Sequence, residues 1–520
     1  MKKLLLGDEA LALGAINAGL SGVYAYPGTP STEITEFIQK NAPAVRSRWC
    51  TNEKTAMEAA LGMSYAGKRA LVCMKHVGMN VCADAFVNSA ITGVNGGLVV
   101  VAADDPSMHS SQNEQDSRFY AKFAMTPLFE PSNQQETYDM VQEAFEFSEK
   151  IKLPVVLRMV TRLAHSRAAV EDGTARGQNA LNPVNDRGWV LLPAIARRRN
   201  AELIDKQKDL LKYSEAASGI ECKTRNAHSA LGVIACGIAY NYVKETGADL
   251  PILKIDRYPL PEAAIKSLAA RCGRIMVVED GQPVVEQDVR AILGADYKVC
   301  GRLTGDLPRT GELCPDCVAK ALKVELAADA PARELPLAAR PPQLCPGCGH
   351  RDVYTALNKV AAEYPNARIF GDIGCYTLGA LPPFNALASC VDMGASITMA
   401  KGAADAGIYP AIAIIGDSTF THSGMTGLLD AVNENADITV IISDNLTTAM
   451  TGGQDSAGTN KFEAICRGLG VSEEHLHVVT PLPAQMPEIT RIIKQEIEYH
   501  GVSVIIPRRE CMQTLKRHKK

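Results

Sequence analysis

Two apolar runs in the last quarter of the chain, residues 411–415 and 438–442, are continuous rather than alternating. Unbroken runs of that length predict strands buried on both faces of a sheet. Between them, residues 424–435 carry their apolar side chains at helical spacing. Strand, helix, strand predicts one right-handed crossover in a parallel sheet. The N-terminal end alternates in the same way. Residues 8–18 are helical in period, and GVYAYPGTPS reads as a strand running into a Gly/Pro turn. Pro30, Ser31 and Thr32 open a helix that ends near Lys40. A short strand at 46–50 and a helix at 52–66 follow, then buried strands at 70–74, 97–103 and 154–160.

This pattern divides the chain. Residues 1–165 read as a doubly wound α/β domain. Residues 166–225 are less regular and form a linker in which ARRRNAELIDKQKDLLKY predicts a charged, exposed helix. The run Arg197, Arg198, Arg199 reads as a solvated face. Residues 226–325 alternate again through LGVIACGIAY, PILKIDRYPL and RIMVVEDGQ, which predicts a second, smaller α/β domain. Residues 326–342 are rich in Ala and Pro and read as a linker. Residues 343–520 hold the two continuous apolar strands. Three domains suit a chain of 520 residues.

Charge and composition narrow the function. A net charge of −4, with no basic block before the terminal LKRHKK, does not suggest nucleic-acid binding. MKKLLLGDEALALG begins like a signal peptide, but its apolar run stops at Asp8. No stretch approaches the roughly twenty apolar residues of a membrane span. A cytoplasmic location is the expectation, so fifteen cysteines are not read as a disulfide framework. Cys73, Cys236, Cys466 and Cys390 read as small core fillers. Cys345–Cys348 and Cys314–Cys317 have Cys-x-x-Cys spacing and differ in kind.

Candidate chemistry gathers at strand ends. Asp417 in IAIIGDSTF and Asn445 in VIISDNLTTAMTGGQ would emerge at the carboxyl ends of neighbouring parallel strands, where open sheets bind ligands. Hard oxygen donors suit Mg²⁺, which usually shares its shell with a phosphate, although Gly-Asp-Ser and Asp-Asn also serve as plain turn chemistry. Glu53 opens a helix, where an acid complements the helix dipole. His76 follows the strand ALVCMK. CPGCGHR is half a site for zinc or for iron–sulfur. Cys375 in GDIGCYTLG and Cys511 in SVIIPRREC are scattered mates, whereas zinc knuckles usually bring both halves close in sequence.

The segment Gly416-Asp417-Ser418, followed by Asn445, resembles the thiamine-diphosphate signature, with Ser418 in place of its final glycine. DNLTTAMTGGQ resembles the version found in 2-oxoacid:ferredoxin oxidoreductases, more narrowly the alpha subunit of the indolepyruvate enzymes. The resemblance implies two doubly wound thiamine-diphosphate-binding-type domains. Residues 1–165 would bind the pyrimidine and 343–520 the diphosphate, and 226–325 would be a smaller transketolase C-terminal-like α/β domain. It implies that Gly28, Glu53, Gly416, Asp417, Ser418, Asn445 and Thr447 contact the cofactor. Asp417, Asn445 and the Thr447 carbonyl would hold Mg²⁺. Glu53 would be the catalytic carboxylate against the aminopyrimidine ring. Thr29 would offer a hydroxyl to the substrate, and His76 would be a polar group in the same cleft. Lys75, His76, Asn113 and Arg118 remain open candidates for the substrate carboxylate. Cys345, Cys348, Cys375 and Cys511 match the four ligands of the family's 4Fe–4S cluster, while Cys314 and Cys317 receive no role.

The implied reaction is oxidative decarboxylation of an aryl-2-oxoacid, such as indolepyruvate, to an arylacyl-CoA, with coenzyme A as co-substrate. Electrons would pass through the cluster to ferredoxin, and a smaller beta subunit would complete an α2β2 assembly. Familiar alpha subunits continue into a ferredoxin-like segment with two runs of closely spaced cysteines, whereas this chain stops nine residues after Cys511. The expectation is either a cut chain or a separate iron–sulfur subunit. The rival readings are a non-oxidative thiamine-diphosphate 2-oxoacid decarboxylase, which needs no cluster, and a non-catalytic assembly subunit.

Overall fold

The computed structural model describes residues 2–185, 187–221, 229–325 and 341–518, and it divides into two compact units, Met1–Ala332 and Arg333–Lys520. Most of the linker read at 326–342 and the end of the segment read at 166–225 lie outside the described residues.

The first unit opens with β1 (Lys2–Leu6), β2 (Gly22–Ala25), β3 (Arg46–Trp49), β4 (Ala70–Lys75), β5 (Leu98–Asp104), β6 (Leu128–Phe129), β7 (Val155–Val160) and β8 (Arg167–Glu171). It continues with β9 (Ile220–Glu221), β10 (Gly232–Cys236), β11 (Ile252–Ile255), β12 (Arg257–Tyr258), β13 (Ile275–Val278) and β14 (Val299–Cys300). The larger sheet runs β12-β6-β7-β5-β4-β2-β3 and is parallel except at β12–β6. β5 and β7 are buried at every position, as their unbroken apolar runs require. A smaller, five-stranded sheet runs β14-β13-β10-β11-β9, and β1 pairs antiparallel with β8 in a separate two-stranded sheet. Because β12 belongs to the larger sheet, the segment after β11 joins the two larger sheets directly. The helix Pro193–Ala217 differs from the exposed helix expected: Leu203, Leu210 and Ser214 are buried while Arg197 and Arg198 face solvent. Those three buried residues share one stripe, and the helix lays it against the helix His76–Thr92.

A buried ion network fastens the smaller sheet to the larger. Arg158, on β7, is fully buried and pairs with Asp104 (Nε to Oδ2, 2.6 Å), Asp116 (3.5 Å) and Glu130. Arg118 pairs with Asp116 at 2.5 Å and with Glu279 at 2.8 Å. Arg158 also donates to the Asp280 carbonyl at 3.0 Å. Burial alone would raise the Asp116 carboxyl, but Arg118 and Arg158 hold it down to about 2.

The second unit is one six-stranded parallel sheet: β15 (Arg368–Gly371), β16 (Ser389–Cys390), β17 (Ala411–Gly416), β18 (Ile438–Ser443), β19 (Leu476–Val479) and β20 (Val502–Pro507), ordered β16-β15-β17-β18-β20-β19. β17 explains why its run is continuous. Ile412 and Ile414 face the helices Gly349–Ala361 and Met486–Ile497, while Ala411, Ala413 and Ile415 face Ala395–Asp405 and Met425–Asn433. Each fully buried branched side chain contributes about 1.5–3 kcal/mol.

Two expectations fail here. The crossover helix begins at Asp417, not near Gly424, and passes through a π turn at Phe420–Gly424. Cys390 is exposed rather than core, because it lies on the two-residue edge strand β16, paired on one side only. No helix among the described residues is long and apolar enough to cross a membrane.

Arg158→Met would leave Asp104, Asp116 and Glu130 buried around no shared cation. Breaking such a set costs about 3–5 kcal/mol. Urea unfolding followed by circular dichroism should show a loss of that size.

Candidate active site

β17 and β18 are parallel neighbours with Gly416 opposite Ser443, so the two loops leave the sheet side by side. Asp417 stands directly after β17, and Asp444 and Asn445 directly after β18. The chain then doubles back. Leu446 takes a left-handed backbone, φ +63°, a conformation that costs a non-glycine residue about 1–3 kcal/mol. This turn aims the Thr447 N–H at Asp417 Oδ2 (3.0 Å) and at Asn445 Oδ1 (3.2 Å). Ser418 N–H donates to Asp417 Oδ1 at 2.7 Å, and the Ser418 and Thr448 hydroxyls are 2.7 Å apart. Gly416 is required by a close approach: a Cβ there would lie 2.6 Å from the Tyr376 ring.

The charges at this corner are unbalanced. Asp444 is paired by Arg508 (Nε to Oδ2, 2.6 Å). Asp417 is buried, and no lysine, arginine or histidine among the described residues pairs with it. Burial, and then the Asp444 charge, push its carboxyl up to about 7. A buried acid with amide donors and no cation suits a hard divalent ion, as do the side-chain oxygen of Asn445 and the nearby Thr447 carbonyl.

The same loop borders a cavity of about 170 Å³ lined by Cys345, Cys348, Cys375 and Cys511 together with His350, Ser443, Asp444 and Asn445. Cys345 and Cys348 precede the helix Gly349–Ala361, with the Cys348 N–H donating to the Cys345 carbonyl at 3.1 Å. Cys375 opens the turn after β15, and Cys511 follows β20. The Cys511 N–H donates to the Asn445 carbonyl at 3.1 Å, so the two sets of groups share a peptide contact. Burial, then Cys511, Cys348 and Cys345, push the Cys375 thiol up to about 12. Four soft donors on one cavity fit a metal centre. Among the described residues no three of these sulfurs lie within 4.8 Å of one another. Four thiolates on one cavity are a donor set for zinc or for an iron–sulfur cluster.

Two residues at this corner receive no role in the sequence reading. His350 is fully buried, 2.6 Å from the Ser443 hydroxyl through Nδ1 and 3.4 Å from Asn445 Nδ2 through Nε2. Burial lowers its pKa to about 4, so it is a neutral strut for the Asn445 side chain. Asp372 follows β15 and accepts from the Gly394 N–H, the Ser396 hydroxyl and the Tyr376 hydroxyl. It thereby braces the Cys375 turn. GDIG preceding Cys375 was the available hint.

In the first unit the remaining candidates also gather at strand ends. Glu53 begins the helix Glu53–Tyr65 behind the N-cap Asn52 and is only 5% exposed. It lies against the first turn of the helix His76–Thr92: a Cβ on Gly78 would be 2.6 Å from Glu53 Cγ. His76 opens that helix, is 1% exposed, and neither ring nitrogen has a hydrogen-bond partner. Burial, then Lys75, lowers its pKa to about 4, leaving a neutral imidazole. Gly28 follows β2, and a Cβ on it would be 3.2 Å from Lys75 Cβ; Thr29 comes next in the turn closed by Ser31 N–H on the Gly28 carbonyl (2.9 Å). Of the open carboxylate-binding candidates, Arg118 is committed to Asp116 and Glu279, Lys75 Nζ donates to the Ser110 carbonyl at 2.7 Å, and Asn113 is exposed. A larger cavity of about 420 Å³, lined by Gln207, Tyr258 and Asp288 among others, has none of Gly28, Thr29, Glu53 or His76 in its wall.

Comparison with known proteins agrees with this layout. Residues 13–181 match the family described as pyruvate flavodoxin/ferredoxin oxidoreductase, thiamine diP-binding. Residues 372–506 match the thiamine pyrophosphate enzyme, C-terminal TPP binding domain. The chain is 39% identical to the indolepyruvate oxidoreductase subunit IorA of Archaeoglobus fulgidus, across 98% of this chain and 86% of that protein. It is 38% identical to IorA of Methanothermobacter thermautotrophicus, across 98% and 87%. In fold it resembles a 2-oxoglutarate:ferredoxin oxidoreductase from Magnetococcus marinus, solved with 2-oxoglutarate, coenzyme A and succinyl-CoA bound. That match has a TM-score of 0.52 at 17% identity and covers 62% of this chain and 65% of that one.

The Asp417 carboxyl is raised above its unfolded value, so its contribution is most favourable at low pH and is lost as pH rises through about 7. Metal-free protein should therefore lose thermal stability as pH rises from the ordinary carboxyl value of 3.8 to the folded value of about 7, and Asp417→Asn should flatten that fall in melting curves at fixed pH.

Proposed function

The chain belongs to the indolepyruvate oxidoreductase IorA family, an oxidoreductase family of the 2-oxoacid:ferredoxin type, and we propose that it is the subunit that oxidatively decarboxylates aryl-2-oxoacids to arylacyl-CoA. The observation that carries this reading is the cavity that four cysteines share with Asn445, beside the unpaired buried carboxyl of Asp417.

Thiamine diphosphate, when bound, supplies the electron sink that lets a 2-oxoacid lose CO₂. The chain's own groups then have these tasks. Asp417, the Asn445 amide oxygen and the Thr447 carbonyl would hold Mg²⁺, which would anchor the diphosphate, with Gly416 and Ser418 as neighbouring contacts on the same loop. The Asp417 carboxyl must be ionised for this, so affinity for the ion falls as pH drops below about 7. Glu53, buried at the start of its helix, would face the aminopyrimidine ring and hold the proton whose movement activates the coenzyme. Gly28 keeps the substrate-side turn close, Thr29 offers its hydroxyl to the 2-oxoacid, and the neutral His76 imidazole offers a polar edge without a charge. Cys345, Cys348, Cys375 and Cys511 would hold a 4Fe–4S cluster, which would supply one-electron transfer.

Residues 1–165 act as the pyrimidine-binding domain, 343–520 as the diphosphate-binding domain, and 226–325 as the transketolase C-terminal-like domain. Coenzyme A is the acyl acceptor, a smaller beta subunit completes an α2β2 assembly in the cytoplasm, and ferredoxin or a separate iron–sulfur subunit takes the electrons.

The test is CoA-dependent viologen reduction by the anaerobically co-purified complex, with indolepyruvate, phenylpyruvate, hydroxyphenylpyruvate, pyruvate and 2-oxoglutarate compared. Aryl substrates should lead; CO₂ release without reduction would instead establish a simple decarboxylase. Glu53→Gln should lower turnover about 10²–10⁴-fold while leaving coenzyme binding intact, as calorimetry would report. Wild-type rates would remove the acid from the mechanism. Cys345→Ala with Cys348→Ala should lose iron and sulfide together with viologen reduction, and full retention of both would dismiss the cluster.

A further inference from the structure

Three elements of the first unit converge at a point that the proposed chemistry leaves unused. The helix Gly7–Asn17 begins in direct contact with the helix Thr161–His165. A Cβ on Gly7 would lie 2.2 Å from the Leu163 carbonyl oxygen, and the Gly7 N–H donates to the Ser166 carbonyl at 3.2 Å. Only glycine permits that approach, and it sets the next residue, Asp8, beside His165. The helix Thr32–Asn41 packs on the other flank and brings Glu33. One donor atom from each of Asp8, Glu33 and His165 lies within 4.8 Å of the other two.

The second observation concerns Asp8 itself. It is 0% exposed, and neither carboxyl oxygen has a hydrogen-bond partner. Glu33 Oε2 is also unpartnered, while Glu33 Oε1 is 3.6 Å from His165 Nε2. The nearby Glu9 does not answer the need: its Oε2 accepts from the Leu6 N–H at 2.8 Å and pairs with Arg167 at 3.1 Å. An unsatisfied carboxyl in the interior is costly. Burial, then Glu33 and Glu9, raise the Asp8 pKa well above the usual range. Glu33 and His165 reach partway to solvent, which gives an ion a route in.

We propose that Asp8, Glu33 and His165 bind a divalent first-row transition-metal ion, Mn²⁺ or Zn²⁺, with water completing its shell. Two carboxylates and one imidazole are a donor set for such ions. The two negative charges balance the ion, and the buried carboxyl gains the partner it lacks. The ion would tie the start of the N-terminal helix to the two elements beside it, a structural clamp remote from the cysteine cavity in sequence and chemistry.

The probe is Mn²⁺, which thiols hold weakly. Chelator-stripped full-length protein is titrated with Mn²⁺, the free ion being counted by its electron paramagnetic resonance signal, beside Asp8→Asn and His165→Ala. Asp8→Asn keeps shape and removes the buried acid; His165→Ala changes a partly exposed side chain and serves if the first variant fails to fold. Wild type should bind one Mn²⁺ more than either variant, and saturating Mn²⁺ should raise its melting temperature while leaving theirs less changed. Equal stoichiometry in wild type and a folded variant would overturn the site, as would a wild-type melting temperature that Mn²⁺ moves no further than the variants'.

Discussion

The register that sets Gly416 opposite Ser443 is the constraint on which the second unit's chemistry depends. It fixes where two strands end, and so places an aspartate and an asparagine side by side with no further adjustment. A slip of one residue would turn every side chain on β17 to the opposite face. The packing forbids that slip, because Ile412 and Ile414 fill one layer of helices and Ala411, Ala413 and Ile415 the other. The site is thus positioned by apolar packing, and the strained turn at Leu446 adds only the final aim of one amide.

Much of this was legible in the chain. The continuous apolar runs at 411–415 and 438–442 named two buried parallel strands, and the polar residues just after them stand side by side at the strands' carboxyl ends, as expected. The four scattered cysteines were legible as a set through family resemblance, and the fold brings them onto one cavity. Other features could not be read from periodicity. The helix start at Asp417 was hidden because the segment from Ser418 to Gly424 has Phe420 as its single apolar side chain and so shows no helical period, although most of it is buried beneath neighbouring elements. Cys390 was read as core from its side chain alone, yet an edge strand only two residues long cannot cover it. Arg118 looked like an anion-binding group, but its carboxylate partners arrive from Asp116 and from Glu279 far along the chain. His350 and Asp372 act by bracing neighbours, a role that depends on contacts rather than on a motif.

The first unit solves a different problem. Its two larger sheets are joined by a strand pairing and by buried arginines whose charges are met from both sides. Such pairs contribute little net stability but penalise mispairing heavily. That cost favours one docking of the smaller sheet over alternatives in which a guanidinium would be stranded.

The amide of Cys511 rests on the carbonyl of Asn445. Were iron seated at that cysteine, as proposed, its loss would free the Cys511 segment and with it the backbone contact that steadies the loop carrying Asn445. Under the proposed function, cluster loss in air and loss of the coenzyme would then be coupled through one peptide contact.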